Sequence, residues 1–459
     1  MTSAPTRSTT SKTPPGSNAP RFVQTASFVR GPIDYLDQNH RKYGDIFTVS
    51  LIGMPPIVYV ANPDLARQVF ATDRSVGNAG RTRQDFLQRM VGDYSILVLD
   101  GDEWLRQRKM IGSAFHTRYL QSYQEEIRRI AVESVATWPV GMPFPVRPKM
   151  QTIALDVLLR VVFGIRDLER VAQLREMLPR LTASASSMET LAFVLSRSAW
   201  AGIEPIFLKI PGSAAARFTQ ARADCDAILY DEIRRRRAEP DNAERKDIMS
   251  QLLRAADDQG TPMTDLELRD ALMTLLEAGY ETTAAAMAWV FERLVRHPDV
   301  YRRLLAETKD GDETYLEAVI KETMRTRPIV PVMPRALSGP LEIGGYTVPG
   351  GWWVAPSVPL LHGREESFES PEEFRPDRFL GEDVPKAAFL PFGGGRRHCL
   401  GAQFAMIEMK AVIPEVIKRM DLRRPDGAGP EAQKTSHVLL TPSEGATVVA
   451  EPRKQAASA

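Results

Sequence analysis

Cys399 has the most chemically suggestive setting in this sequence. It closes the run Phe392-Gly393-Gly394-Gly395-Arg396-Arg397-His398-Cys399 and is followed by Leu400-Gly401. Three glycines let the backbone take tight, positive-φ turns and approach a flat object closely. A helix is expected to open at Leu400. The thiol then lies at a helix N-terminus, where amide donors and the dipole lower its pKa and favour the thiolate. Arg397 adds positive charge for an anionic group on the same ligand. A phosphate loop would follow its glycines with Lys-Ser or Lys-Thr, and Arg-Arg-His-Cys stands there instead. A nucleophilic cysteine needs a partnered histidine and a third residue to orient it, whereas His398 is adjacent in sequence and is expected to point elsewhere. Thiolate ligation of haem iron accounts for the glycines, the arginine and the helix start together.

A second cluster lies in the middle of a helix. Thr264-Asp265-Leu266-Glu267 has the form of a capping box and His297-Pro298 supplies a stop, so one long helix is expected up to Arg296. Its centre reads Ala278-Gly279-Tyr280-Glu281-Thr282-Thr283. Glycine costs about 1 kcal/mol relative to alanine inside a helix. Threonine can bond back to the preceding turn and bend it. An acid beside these weakening residues reads either as a kinked packing helix or as an opening made for chemistry.

Other pairs say little singly. Glu322 and Arg325 are three apart on one helix face, where an exposed pair contributes well under about 1 kcal/mol. Trp104 and Arg108 stand one turn apart, and Arg335 follows Pro331 and Pro334 in an extended stretch. Taken with Phe374-Arg375-Pro376-Asp377-Arg378-Phe379, these features resemble the cytochrome P-450 family. The pattern Phe392-x-x-Gly395-x-Arg397-x-Cys399-x-Gly401, continued by Ala405 and Glu408, is similar to that family's haem-binding signature. Five motifs stand in the family's order between about Arg30 and Ala450.

The resemblance implies a haem-thiolate monooxygenase with Cys399 as the iron ligand. It implies that Arg397, Arg108, Trp104 and Arg335 meet the haem propionates, and that Ala278 and Gly279 make room for dioxygen. Thr282 would steady bound oxygen, and Glu281 would help relay protons. Glu322, Arg325 and Arg378 would form a structural triad that locks the cysteine loop. The cofactor would be haem b, iron protoporphyrin IX. No flavin or nicotinamide motif stands in the chain, so electrons are expected from an external ferredoxin and its reductase. Ile329, Val330, Val332 and Met333, with Leu439 and Leu440, are expected to line a pocket for a hydrophobic substrate, lipid, terpenoid or steroid-like. Met188, Leu191, Phe193, Trp200 and Phe207 carry the same expectation. A peroxide-driven peroxygenase or isomerase, or a haem sensor without catalysis, are the alternatives; the acid–threonine pair speaks against both.

The scaffold that must hold these residues reads as mainly α with small sheets, an α+β chain built as one large domain. Helical periodicity dominates Asp102–Ala114, Leu120–Trp138, Met150–Phe163, Ala214–Arg237 and Leu400–Met420. Pro414 is expected to kink or break the last of these. Ile46–Ser50 and Ile57–Val60 read as a hairpin, and Leu341–Val348 as another around Gly344-Gly345, continued by Trp352–Ala355. Residues 1–29 read as a disordered tail, since the first 20 contain four Ser, five Thr and four Pro, and the haem domain is expected over 30–459. Arg234–Arg237 reads as a solvated helix end, and Arg81, Arg83 and Arg89 as part of a lid.

Composition narrows the functional classes. Lys+Arg is 59 against Asp+Glu 58, which argues against binding nucleic acid. Cys225 and Cys399 are too few for a zinc ribbon, an iron–sulfur cluster or a disulfide framework, and fit a reducing, cytoplasmic setting. No apolar run approaches the ~20 residues of a membrane span, so no transmembrane anchor is expected.

Overall fold

A computed structural model describes residues 12–115, 123–165, 167–186, 213–239, 244–309, 311–381, 384–436 and 438–453. The Asp265–Arg296 helix runs through the middle of the fold. Thr264 accepts from the Glu267 amide while the Glu267 carboxylate accepts from the Thr264 amide, so both halves of the capping box form. Beyond this cap most of the helix is buried, as expected of a helix surrounded by others. It packs against the helices Val146–Val157, Ala214–Ala238, Thr314–Thr326 and Ala402–Arg419. Leu272, Met287 and Phe291 from its length share one core with Ile153, Leu159, Val412 and Ile413.

The sheets are small, and strands near the C-terminus pack against the long helix. The expected hairpin forms, with Ile46 opposite Val60 and Val49 opposite Ile57. Trp353–Pro356 does not continue the Leu341–Val348 hairpin, which stands alone as two strands turning at positive-φ Gly344 and Gly345. It pairs parallel to Ile57–Val60 instead, and Arg335–Leu337 and Gly77–Asn78 complete a five-stranded sheet. The sheet therefore brings the segment carrying Arg335 alongside the N-terminal region.

Four expectations are corrected. Order begins before Arg30: Arg21–Arg30 is a helix, and Gly16 bridges Thr48. Gln24, 3% exposed, explains how so polar a stretch is held. Its Nε2 donates to the carbonyls of Ser17 and Ala19, and its Oε1 accepts from the Ser50 amide. Pro414 lies inside a helix that continues to Arg419. The helix expected through Phe163 ends in a π-helical turn over Leu158–Val162. Of the four arginines at 234–237, Arg236 is fully buried, bonded to Glu232, Asp247, Ser250 and the Phe163 carbonyl.

Candidate functional site

The cysteine loop is held by its own backbone. The Cys399 amide donates to the Phe392 carbonyl at 2.9 Å, and Gly395–Arg397 forms a single 3-10 turn. Gly393 and Gly395 take φ of 75° and 66°, left-handed values that other residues resist. Two glycines of this loop lie close to Phe70. A Cβ at Gly394 would stand 2.5 Å from it, and one at Gly395 would stand 2.8 Å from the Phe70 Cβ. Gly401 is different: a Cβ there would meet no protein atom within 4 Å. The helix begins at Ala402, with Gly401 as its N-cap, rather than at Leu400.

Cys399 is exposed, in contrast to Cys225, which is buried. Desolvation by the surrounding loop pushes the Cys399 thiol up, against the lowering expected for a helix start. The Gly401 and Ala402 amides and the Arg108 guanidinium act in the opposite direction, so the donors suited to a thiolate are present.

Trp104, 4% exposed, is the centre of a cationic cage. The guanidinium carbons of Arg397, Arg396 and Arg108 lie 4.2, 5.4 and 5.5 Å from its ring centroid. Arg108 donates to the His398 carbonyl at 2.8 Å. Arg397 donates to the Ile96 and Leu99 carbonyls and pairs with Asp100 at 2.6 Å. Arg335, 1% exposed, holds both oxygens of Asp73 at 2.6 and 3.1 Å. Arg83 joins the same cluster. Desolvation and the nearby Arg335 bring it down to about 10, and desolvation likewise lowers Arg397 to about 10. Three guanidinium groups, Arg83, Arg335 and Arg397, thus share two carboxylates, Asp73 and Asp100.

On the long helix, Ala278 is exposed and Gly279, Glu281 and Thr282 are half-buried, within a run that is otherwise mostly buried. The Thr282 hydroxyl donates to the Ala278 carbonyl at 2.6 Å, the expected bond to the preceding turn. Gly279 also has a packing reason: a Cβ there would stand 3.1 Å from both Leu158 methyls in the π-helical turn. Glu281 is held by Arg147 at 2.7 Å and by the Gln151 amide at 2.6 Å, so its carboxylate is oriented by the Val146–Val157 helix.

The triad forms and is fully buried. Arg325 grips both Glu322 oxygens at 2.7 Å, and Arg378 reaches the same carboxylate at 3.1 Å. The Arg375 amide adds a fourth donor at 2.9 Å. His362 links this triad to the cysteine loop. Its Nδ1 meets the Arg325 carbonyl at 3.1 Å, and its Nε2 accepts from the Leu390 amide at 2.9 Å. Those bonds require the Nδ1–H tautomer. Burial pushes its pKa down to about 3.

The substrate-lining expectations divide. Ile329 accepts from the Leu440 amide, and Leu439–Pro442 packs against the long helix, so these residues come together. Val330 is exposed. Val332 packs beside the cluster around Phe47 and Tyr59, and Met333 is buried with Phe70, Val358 and Leu390; both contribute to packing. Met188, Leu191, Phe193, Trp200 and Phe207 lie outside the described residues. Sequence reasoning missed Asp73, Asp100, Arg147, Gln151 and His362. Their partners are distant in sequence.

With this geometry in place, the comparisons are unambiguous. The cytochrome P450 family model matches residues 14–449. Cytochrome P450 135B1 of Mycobacterium tuberculosis is 38% identical over 446 residues, covering 95% of this chain and 90% of the relative. Cytochrome P450 138 of Mycobacterium bovis is 33% identical over 438 residues, covering 95% and 96%. Among solved structures, retinoic acid-bound cyanobacterial CYP120A1 superposes with a TM-score of 0.81 at 23% identity, covering 97% of this chain and all of that one. The haem domain of cytochrome P450DA gives 0.82 at 22% identity, with 97% and 98% covered. The chain therefore belongs to the cytochrome P450 family. It is a haem monooxygenase with the mainly helical fold of that family, and no helix among its described residues is long and apolar enough to cross a membrane.

Proposed function

We propose that Cys399 would hold the iron of haem b through its thiolate and that the chain hydroxylates a hydrophobic small molecule with dioxygen. The observation that carries this reading is the cysteine loop: an exposed thiol flanked by the amides of Gly401 and Ala402, on a loop fixed against Phe70. The donor set fits the cofactor. A haem brings two carboxylates, and the cluster of three arginines on two aspartates carries surplus positive charge where burial makes an unpaired charge costly. Arg335, Arg397 and Arg83, with Arg108 and Trp104 beside them, would hold those carboxylates. Haem iron with a thiolate ligand supplies oxygen activation, the thiolate pushing electron density toward O–O cleavage.

The remaining work belongs to this chain's side chains. Thr282 offers a hydroxyl on the side of the long helix where Ala278 is exposed, and its bond to the Ala278 carbonyl can be exchanged for one to a ligand. Glu281, oriented by Arg147 and Gln151, lies one residue away and can pass protons inward through Thr282. Ile329, Leu439 and Leu440 give the substrate an apolar wall. An external ferredoxin with its reductase would supply electrons, and the cytoplasm suits a thiol that must stay reduced.

The test is a carbon monoxide difference spectrum of the reduced protein, for wild type and Cys399→Ser. Wild type should show the thiolate signature, and the variant should lose it while keeping the circular dichroism of the fold. A colourless wild type, or an imidazole-type spectrum, would overturn the reading. Oxygen uptake stoichiometric with product then separates a monooxygenase from a peroxygenase or isomerase.

A further inference from the structure

Four residues before Glu281, the long helix carries a second carboxyl that the proposed mechanism does not use. Glu277 is half-buried, next to the exposed Ala278. Across from it, Thr182 of the Leu168–Ser186 helix donates toward its oxygens at 3.3 and 3.4 Å, and Ala183 beside Thr182 is exposed. Ala278 and Ala183, both small and exposed, thus flank the carboxyl on the two facing helices.

The groups around it share a character. Tyr280 and Glu281 lie on its own helix, Thr182 on the facing one, and Cys225 on Ala214–Ala238 feels its field. The Tyr280 hydroxyl, 2.9 Å from Thr182, is pushed up by burial and by both glutamates. Burial, then Glu277, raises the Cys225 thiol to about 12. Burial raises Glu277 itself to about 8, with Glu281 adding to the shift. The nearby cation Arg147 is committed to Glu281, and no arginine, lysine or histidine forms an ion pair with Glu277 among the described residues. Without a cation among the described residues to balance it, the Glu277 carboxyl keeps its proton at neutral pH, and a cationic partner beside it would let it ionise.

We propose that Glu277 is the polar anchor of the substrate site and that it selects an apolar molecule carrying one protonated amine. This deepens the reading above and rests on its assignment of the Ala278 side of the helix to the substrate. An amine placed between Glu277 and Thr182 would supply the missing cation, in surroundings where a charge-assisted bond is strong because water is scarce. The apolar body of the same molecule would lie along the wall formed by Leu439 and Leu440.

The test titrates the haem-loaded protein with N,N-dimethyldecylamine, protonated at neutral pH, and with the uncharged N,N-dimethyldecanamide, which offers only an acceptor. Isothermal calorimetry gives both affinities without relying on the haem. Wild type should bind the amine about tenfold or more tighter than the amide, roughly the effect of one partly desolvated charge pair. Glu277→Gln should abolish that preference while leaving amide affinity within about threefold, the sign of an intact pocket. An amide bound as tightly as the amine, or a preference that survives Glu277→Gln, would overturn the proposal. The carbon monoxide spectrum of the same sample reports separately on Cys399, so a failure of haem ligation is not confused with a failure of amine selection.

Discussion

At the residue scale, the two histidine nitrogens of His362 carry more of the structure than the sequence suggests. The ring joins the triad helix to the segment leading into the cysteine loop, and it must be neutral to do so. Its pKa is about 3 when folded, against an ordinary value of 6.5. Between these values the unfolded chain takes up a proton that the folded chain refuses, so stability rises as pH climbs from about 3 to 6.5 and is then unaffected by this group. In His362→Gln the slope of unfolding free energy against pH in this window should fall by up to about 1.4 kcal/mol per pH unit. Denaturant titrations at several pH values would measure it, and an unchanged slope would remove His362 from the account. Thr282 belongs to the same scale. Thr282→Ala should bind haem as wild type does yet lower product per electron by about tenfold or more, with the remainder released as hydrogen peroxide. A variant as well coupled as wild type would indicate a haem protein that does not use this hydroxyl.

At the scale of elements, the contact between the long helix and the π-helical turn Leu158–Val162 sets how closely the two can pack. Gly279 permits an approach that any side chain would obstruct, since its Cβ would meet the Leu158 methyls at 3.1 Å. Gly279→Ala should therefore destabilise the fold by about 1–3 kcal/mol, although alanine is the better helix former. Adding Leu158→Ala should recover part of that loss, because the two changes act on one contact. Thermal unfolding of the two single variants and the double variant tests this, and strict additivity would refute it. The glycine was legible as a weak point in the helix, but its reason was not, because Leu158 lies over a hundred positions earlier in the chain.

At the scale of the whole molecule, the helical bundle and the sheet region are joined by polar side chains that span the chain. Asp73 meets Arg335, Asp100 meets Arg397, and Gln24 ties the first described helix to the strand region through Ser50. Gln24→Ala leaves two partly buried carbonyls and an amide without this partner, and should cost about 1–3 kcal/mol in denaturant unfolding with the haem spectrum unchanged. A neutral result would mean that the N-terminal segment rests on the fold without bracing it.

What the sequence determined by itself was local. A capping box, a hairpin glycine pair, an ExxR spacing and a glycine-arginine-cysteine loop are set by bonds within a few residues, and each of these elements forms close to where it was expected. The family and its haem chemistry were legible because several such motifs occur in order. The tertiary structure decided who partners whom. It buried the Glu322–Arg325 pair, which spacing alone leaves at the surface, set Gly279 against Leu158, and gave Arg335 and Arg397 aspartate partners. It also ordered a polar N-terminus through one glutamine. Burial and pairing depend on residues brought together from far along the chain, and no local pattern records them.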